Sequence, residues 1–150
     1  MLAAWVLLGY PGDTVDVYTD GSSPYFHGFM ALRGLDPHTY YYRRLYMDAY
    51  RVIEAAKSPR PWINNKIAVT GVSQSGGIGI AMSGLTDHLS TVMPDVPYTC
   101  DFPRAVRLTD EMPYHAISRF QKVHRDKTRQ FLEIYHILTE CNLQYAQMLR

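Results

Sequence analysis

Residues 66–85, Lys-Ile-Ala-Val-Thr-Gly-Val-Ser-Gln-Ser-Gly-Gly-Ile-Gly-Ile-Ala-Met-Ser-Gly-Leu, decide the fold of this 150-residue chain. The apolar run 67–69 predicts a buried β-strand, and the small residues of 71–77 predict a tight turn. Apolar side chains then recur at helical spacing, at Ile78, Ala81, Met82 and Leu85. A strand, a turn holding a central serine and a helix form a nucleophile elbow, in which a hydroxyl stands above the carboxyl end of a parallel sheet. An ordinary strand-to-helix corner that happens to contain serines remains the alternative for this stretch alone.

The composition is that of a globular domain, with 47% hydrophobic and 19% charged residues. A net charge of +1 gives no reason to expect nucleic acid or an anionic membrane as a partner. Two cysteines, Cys100 and Cys141, make no disulfide framework and no Cys-rich zinc pattern, which favours a reducing compartment. Residues 1–8 are apolar but too short to span a membrane, and they lack the basic start of a signal peptide. We therefore predict a cytoplasmic protein.

The elements before the elbow predict alternation of strands and helices. Residues 3–8 are continuously apolar, as in a strand covered on both faces, and residues 9–23 are rich in turn formers and predict a long loop. Asp36 and Pro37 supply an N-cap and a first helical residue for a helix over 37–57. Its apolar stripe, which we interpret as packing rather than as a binding platform, comprises Tyr42, Leu45, Tyr46, Ala49, Val52, Ile53 and Ala56.

The elements after the elbow predict one more strand and then helices. Residues 91–98 read as a strand and its exit, although Pro94 is a poor residue for a central strand because it lacks a backbone N–H. Helices are predicted over 102–108, 116–123 and 131–149. Strands and helices in this order indicate an α/β fold with a mostly parallel sheet, a nucleophile elbow and a helical segment after it.

Ser73 is the first candidate for a nucleophile. It is the central serine of Gly71-Val72-Ser73-Gln74-Ser75, in which Ser75 replaces the second glycine of the usual Gly-x-Ser-x-Gly pattern. Ser is the next smallest residue after Gly and Ala, so the turn stays feasible. Ser75 itself is a second candidate, although it should lie in the first helical turn rather than at the apex. The backbone N–H of Gln74 would be the oxyanion donor beside Ser73.

A serine nucleophile needs a histidine base and an acid to orient it, and both normally follow the serine in this fold. The downstream residues of these types are Asp87, Asp95, Asp101, Asp110, Asp126, His88, His115, His124 and His136. None of them follows a well-defined later strand, and solvated surface side chains are the better interpretation of His115 and His124. The six histidines show no metal-ligand spacing, and Gly77-Ile78-Gly79 does not complete a dinucleotide fingerprint. We predict neither a metal nor a cofactor.

Five segments together resemble the acetyl xylan esterase / cephalosporin C deacetylase family of α/β-hydrolases. Residues 71–77 are similar to that family's Gly-Gly-Ser-Gln-Gly-Gly-Gly, and the block 29–60, with Thr-Tyr-Tyr-Tyr-Arg-Arg at its centre, resembles the segment preceding the elbow. Three shorter segments follow in the family's order, at 95–105, 113–117 and 124–127. The chain departs from the family pattern at residues 9–12, where Gly-Tyr-Pro-Gly replaces Arg-Gly-Gln, and at Pro94 and Thr139.

The resemblance implies that Ser73 is the nucleophile and that Gln74 supplies one oxyanion N–H. The family's second oxyanion donor is a tyrosine N–H on an upstream loop, and its Asp and His lie on strands that would follow residue 150. Residues 1–150 are therefore expected to form a single partial α/β-hydrolase domain, without the N- and C-terminal parts of the full domain. An esterase that removes acetyl groups from xylo-oligosaccharides or cephalosporin C is implied, with this chain an inactive or truncated fragment.

Two alternatives stay open. The chain is either such an esterase fragment or a non-catalytic remnant that serves as an oligomerisation or interaction module, since the family forms homo-oligomers. A serine esterase for another substrate class, such as lipids or peptides, is a weaker alternative because no acyl groove or lid can be argued from the residues. The partner expected for the esterase is an acetylated oligosaccharide or another small acetyl ester.

Overall fold

The computed structural model describes residues 29–31, 33–58 and 66–133, and the predicted strand 3–8 and loop 9–23 lie outside them. A single turn of 3-10 helix, Phe29–Ala31, opens the described part of the chain. Helix α1 spans Tyr41–Lys57, strand β1 Ile67–Val72, helix α2 Gln74–Leu85 and strand β2 Leu89–Asp95. Helix α3, Phe102–Leu108, and helix α4, His115–Val123, follow. The prediction of an α/β fold is confirmed.

The sheet within these residues consists of β1 and β2, which pair in parallel with Val72 opposite Asp95. Helix α2 connects the strands, packs across both of them, and is packed in turn by α1. Burial alternates along β1, with Ala68 and Val72 exposed, so the expectation of a fully buried strand is not met in the described part of the chain. The reason is that α2 covers one face of the sheet there.

Pro94 is accommodated in β2, opposite Gly71. Among the described residues β2 pairs with β1 alone, so this strand can contain a residue that lacks a backbone N–H. The strand begins two residues earlier than predicted, at Leu89, and it ends at Asp95. Strand β1 likewise runs three residues beyond the predicted apolar run and reaches Val72, directly before the candidate serine.

Helix α1 starts at Tyr41, four residues later than predicted. Asp36 caps a separate turn instead, because its carboxylate accepts hydrogen bonds from the His38 N–H (2.9 Å) and the Thr39 hydroxyl (2.8 Å). Tyr40 then has extended backbone angles, φ −60° and ψ 134°. This break allows Tyr40, Tyr41 and Tyr42 all to be buried, which three consecutive residues on one helical face could not be.

The main core lies between α1, α2 and the C-terminal helices. Its buried side chains include Met30, Tyr40, Tyr42, Leu45, Tyr46, Ile53, Ile78, Met82, Tyr98, Phe102, Ile117 and Phe131. The tyrosine stripe of α1 is therefore packing, as predicted. Leu85, predicted on the buried face of α2, is 43% exposed at the helix end. None of the helices within the described ranges is long and apolar enough to cross a bilayer.

The helical segment after the sheet agrees closely with prediction. Helix α3 has the predicted bounds, and α4 begins one residue before the predicted 116–123. A 3-10 turn, Arg125–Lys127, leads into a helical stretch over 128–133, and the rest of the predicted helix 131–149 lies outside the described residues.

Candidate active site

Ser73 occupies the single residue between β1 and α2, at the carboxyl end of the parallel pair. Its backbone angles are φ 55° and ψ −116°, a combination that non-glycine residues rarely adopt and that costs roughly 1–3 kcal/mol. Its side chain is exposed. A strained, exposed serine between a strand and a helix has the backbone geometry predicted for the apex of a nucleophile elbow.

The backbone of Ser73 is held on both sides by the exit of β2. The Ser73 N–H donates to the Asp95 carbonyl at 2.9 Å, and the Ser73 carbonyl accepts from the Tyr98 N–H at 2.9 Å. The same carbonyl accepts the first helical hydrogen bond of α2, from the Gly77 N–H at 3.1 Å. Three backbone hydrogen bonds therefore fix the strained residue, and they supply the surrounding structure that such strain requires.

Small residues are needed around Ser73 because the backbone of α2 passes very close to the strands. A Cβ built on Gly71 would lie 2.7 Å from the Cβ of Ser75. A Cβ on Gly77 would lie 1.9 Å from the Tyr98 carbonyl oxygen, and one on Gly76 would lie 2.9 Å from the Gly71 carbonyl oxygen. The close approach explains why residue 75 is small. It also places Ser75 in the first turn of α2, half-buried, and not at the apex.

Gln74 is the first residue of α2, so its backbone N–H has no carbonyl partner within the helix. Its side chain points into the core side of the elbow, where Nε2 donates to the Tyr42 hydroxyl at 3.0 Å. That hydroxyl also lies 3.2 Å from the Tyr98 hydroxyl. Sequence reasoning missed both tyrosines, because Tyr42 reads only as part of a packing stripe and Tyr98 only as the exit of a strand.

Most of the acidic and basic candidates downstream of Ser73 contact other residues in the described part of the chain. His88 lies 3.8 Å from Glu54, His115 lies 3.4 Å from Asp110, and the His124 ring packs against Phe120, tilted by 40°, with ring centroids 4.7 Å apart. Asp101 caps α3 by accepting the Arg104 N–H. Asp95 touches Ser73, but through its backbone carbonyl. His136 lies outside the described residues.

Two further observations concern the groups that could take part in chemistry near Ser73. Within residues 29–31, 33–58 and 66–133, no group of three His, Cys, Asp or Glu side chains is arranged to share a metal ion. Burial raises the pKa of the Tyr42 hydroxyl well above its ordinary value, with the neighbouring Tyr98 adding to the effect. The hydroxyl that contacts Gln74 is therefore a neutral hydrogen-bonding group at physiological pH.

Comparison with known proteins agrees with the resemblance in the sequence. The profile of the acetyl xylan esterase family matches residues 5–145. Among solved structures, an acetyl xylan esterase from Paenibacillus sp. R4 is 31% identical and superposes with a TM-score of 0.69. The match covers 81% of this chain and 39% of the other, so this chain spans about two fifths of that relative's length.

Proposed function

This chain belongs to the acetyl xylan esterase family, and we propose that Ser73 is the nucleophile of a serine esterase that removes acetyl groups from carbohydrates. The observation that carries the proposal is the strained backbone of Ser73, φ 55° and ψ −116°, which presents an exposed hydroxyl directly after a parallel strand. Ser75, the other candidate, lies within α2 with no comparable strain. The proposed substrate is an acetylated oligosaccharide or another small acetyl ester.

In the proposed reaction the Ser73 Oγ attacks the acetyl carbonyl carbon, and the ester oxygen leaves as the alcohol of the sugar. The serine proton passes through a general base to that leaving oxygen, and water then releases acetate from the acetyl-serine. The Gln74 N–H, free of the helical pattern at the first residue of α2, donates to the oxyanion that forms in each step.

We place the general base outside the described residues. Three histidines follow Ser73 within the described residues. They contact Glu54, Asp110 and Phe120, and none of these contacts is with the serine. In the family that this chain resembles, the histidine base lies on a strand that would follow residue 150, so we expect residues 1–150 alone to hydrolyse p-nitrophenyl acetate at close to the uncatalysed rate. An oxyanion donor retains part of its effect without the base, so Ser73 should still be acetylated slowly and should keep the acetyl group.

The test is to incubate the chain with excess p-nitrophenyl acetate and locate acetylated serines by peptide mass spectrometry. We expect acetyl-Ser73 to accumulate, with Ser73→Ala unlabelled and Ser75→Ala labelled at the parent rate. Labelling of Ser75 instead, or equal labelling of exposed serines throughout the chain, would refute the assignment. Rapid turnover that disappears in Ser73→Ala would support the nucleophile and contradict the placement of the base. Single His→Ala variants would then identify it.

A non-catalytic assembly role is the second candidate, and exposed apolar side chains on the sheet favour it. Within the described residues, Val72 is 59% exposed and Met93 is 51% exposed. Light scattering during size-exclusion chromatography separates the two candidates. The assembly role is supported if the parent chain is not acetylated at Ser73 and if the parent and Ser73→Ala form the same defined oligomer. A parent chain that is monomeric and becomes acetylated at Ser73 supports the esterase.

A further inference from the structure

Four groups form a closed ring of contacts around the elbow. The Gln74 side-chain amide donates to the Tyr42 hydroxyl at 3.0 Å, and the Tyr42 hydroxyl lies 3.2 Å from the Tyr98 hydroxyl. The backbone N–H of Tyr98 donates to the Ser73 carbonyl at 2.9 Å, and Ser73 is covalently joined to Gln74. The ring thus includes both Ser73, the proposed nucleophile, and Gln74, whose backbone N–H is the proposed oxyanion donor.

One direction of the hydrogen bonds in the ring is consistent with the contact between the Tyr98 hydroxyl and the Met30 sulfur. The Tyr98 hydroxyl donates to the Met30 sulfur, so its oxygen is left to accept the proton of Tyr42. Tyr42 can therefore donate to Tyr98 while it accepts from Gln74. In the order Gln74, Tyr42, Tyr98, Met30, each hydroxyl can act as both a donor and an acceptor.

Packing alone does not explain the two hydroxyls. Tyr42 is 1% exposed and Tyr98 is 9% exposed, and phenylalanine would fill the same space without the cost of removing a hydroxyl from water. The rings themselves are fixed by edge-on aromatic neighbours, since Tyr42 meets Phe102 at 6.5 Å and Tyr98 meets Tyr114 at 5.3 Å between ring centroids. The hydroxyls are therefore held in place by a rigid aromatic frame and directed toward one another.

We propose that Tyr42 is a positioning residue for the elbow, whose hydroxyl closes this ring and so fixes the direction of the Ser73 hydroxyl and the Gln74 backbone N–H. The catalytic half of this inference rests on the proposed function. Ser73 is strained, and any loosening of its partners lets the turn relax away from the geometry in which hydroxyl and N–H face one substrate carbonyl. Tyr42 touches no reacting atom in this arrangement and acts through Gln74 and Tyr98.

The test compares Tyr42→Phe with Tyr40→Phe in the 150-residue chain. Tyr40 is the control, because it is equally buried and its hydroxyl donates to the Met30 carbonyl at 2.9 Å, which is a different atom from the Met30 sulfur that Tyr98 contacts and is not a member of the ring. The first measurement is amide hydrogen exchange at Tyr98 and Gly77, the two N–H groups that bond the Ser73 carbonyl. Exchange at Ala49 and Ile53 in α1 reports overall stability and serves as the reference.

Tyr42→Phe should speed exchange at Tyr98 and Gly77 by roughly tenfold relative to the α1 reference, as expected for the loss of buried hydrogen bonds. It should also lower the maximal rate of Ser73 acetylation by p-nitrophenyl acetate by roughly tenfold, with the half-saturating ester concentration unchanged. Tyr40→Phe should do neither. Gln74→Met, which removes the amide donor but keeps the backbone N–H, should reproduce the effects of Tyr42→Phe and add little to them in the double variant.

Relative exchange at Tyr98 and Gly77 equal in the two tyrosine variants would overturn the inference, whatever the activity of the chain. Faster exchange in Tyr42→Phe with an unchanged acetylation rate would also overturn it, because the ring would then be a structural feature only. A parent chain that is not acetylated at Ser73 would instead refute the proposed function, and the exchange comparison alone would decide whether the ring holds the elbow.

Discussion

The elbow and the α3–α4 pair are built by different means. At the elbow, backbone meets backbone, with α2 so close to the exit of β2 that a Cβ on Gly77 would lie 1.9 Å from the Tyr98 carbonyl oxygen. Helices α3 and α4 are joined through side chains, and large apolar residues on them remain in water, Leu108 at 73% and Val123 at 69% exposure. The comparison teaches that the elbow has no free space for added atoms, whereas the helical pair has ample free space.

The largest effect is expected from Gly77→Ala. The new methyl group would overlap the Tyr98 carbonyl oxygen and the Thr99 hydroxyl, and backbone cannot move aside as a flexible side chain can. We expect a loss of about 3 kcal/mol or more in the free energy of unfolding, measured by urea denaturation, together with loss of Ser73 acetylation.

Gly79→Ala is the matched control on the same helix. Its Cβ would meet only side-chain atoms, of Val92 at 3.3 Å and Val69 at 3.4 Å, and alanine gains up to about 1 kcal/mol of helix propensity over glycine. We expect a change within about 1 kcal/mol. Equal destabilisation by the two substitutions would contradict the distinction between backbone and side-chain contacts.

The next effect is a gain in stability from Ser73→Gly. Glycine adopts φ 55° and ψ −116° without a steric penalty, so roughly 1–3 kcal/mol of strain is removed, and roughly 0.5–1 kcal/mol of it is offset by the greater flexibility of unfolded glycine. We expect Ser73→Gly to unfold at a higher urea concentration than Ser73→Ala, with a free energy of unfolding that is larger by about 1 kcal/mol. Both variants lack the hydroxyl, so their difference isolates the backbone. Equal stability would show that the turn is not strained.

Much of the elbow could be predicted from the sequence, because its determinants are local. The small residues 71–77 and the apolar run before them predict a strand, a turn and a helix with a serine at the turn, and these elements are present. The start of α1 was predicted four residues too early. Asp36 does cap a turn as its type suggests, but burial of three consecutive tyrosines requires a break at Tyr40 that local capping signals do not show.

The ring around the elbow could not be predicted, because its members are far apart in the sequence. Residues 42, 74 and 98 meet only after α1, α2 and the exit of β2 have packed together. Nothing in the local pattern distinguishes Tyr42 from Tyr46, which is equally part of the apolar stripe and whose pKa burial raises to about 12. The predicted roles of Ser73 and Gln74 stay predictions until acetylation is measured.

A moderate effect is expected at the start of α3, where a side chain rather than close backbone packing holds the structure. Asp101 has φ 45°, and its carboxylate accepts the Arg104 N–H at 3.3 Å. Asp101→Ala loses the cap and places alanine in a left-handed conformation, and we expect a loss of about 1 kcal/mol. Asp101→Asn keeps an acceptor and tolerates this conformation, so its urea midpoint should stay close to the parent value. A larger loss than in Gly77→Ala would reverse the comparison of the two regions.

The smallest effect is expected from the charges between α3 and α4. Lys122, whose ammonium lies 3.8 Å from the Asp110 carboxylate, is the main cause that holds the pKa of the Asp110 carboxyl below its ordinary value of 3.8, and the His115 ring, 3.4 Å from the same carboxylate, adds to the effect. Because the folded pKa is depressed, Asp110 contributes stability above about pH 4 and loses it as the pH falls through the lower, folded pKa. The difference in urea midpoint between the parent and Asp110→Asn should therefore be small at pH 6, smaller still in 1 M salt, and should decrease as the pH falls below about 4. A difference in urea midpoint that grows as the pH falls would have the wrong sign for a depressed pKa. It would show that the protonated form of Asp110, and not the carboxylate, stabilises the fold.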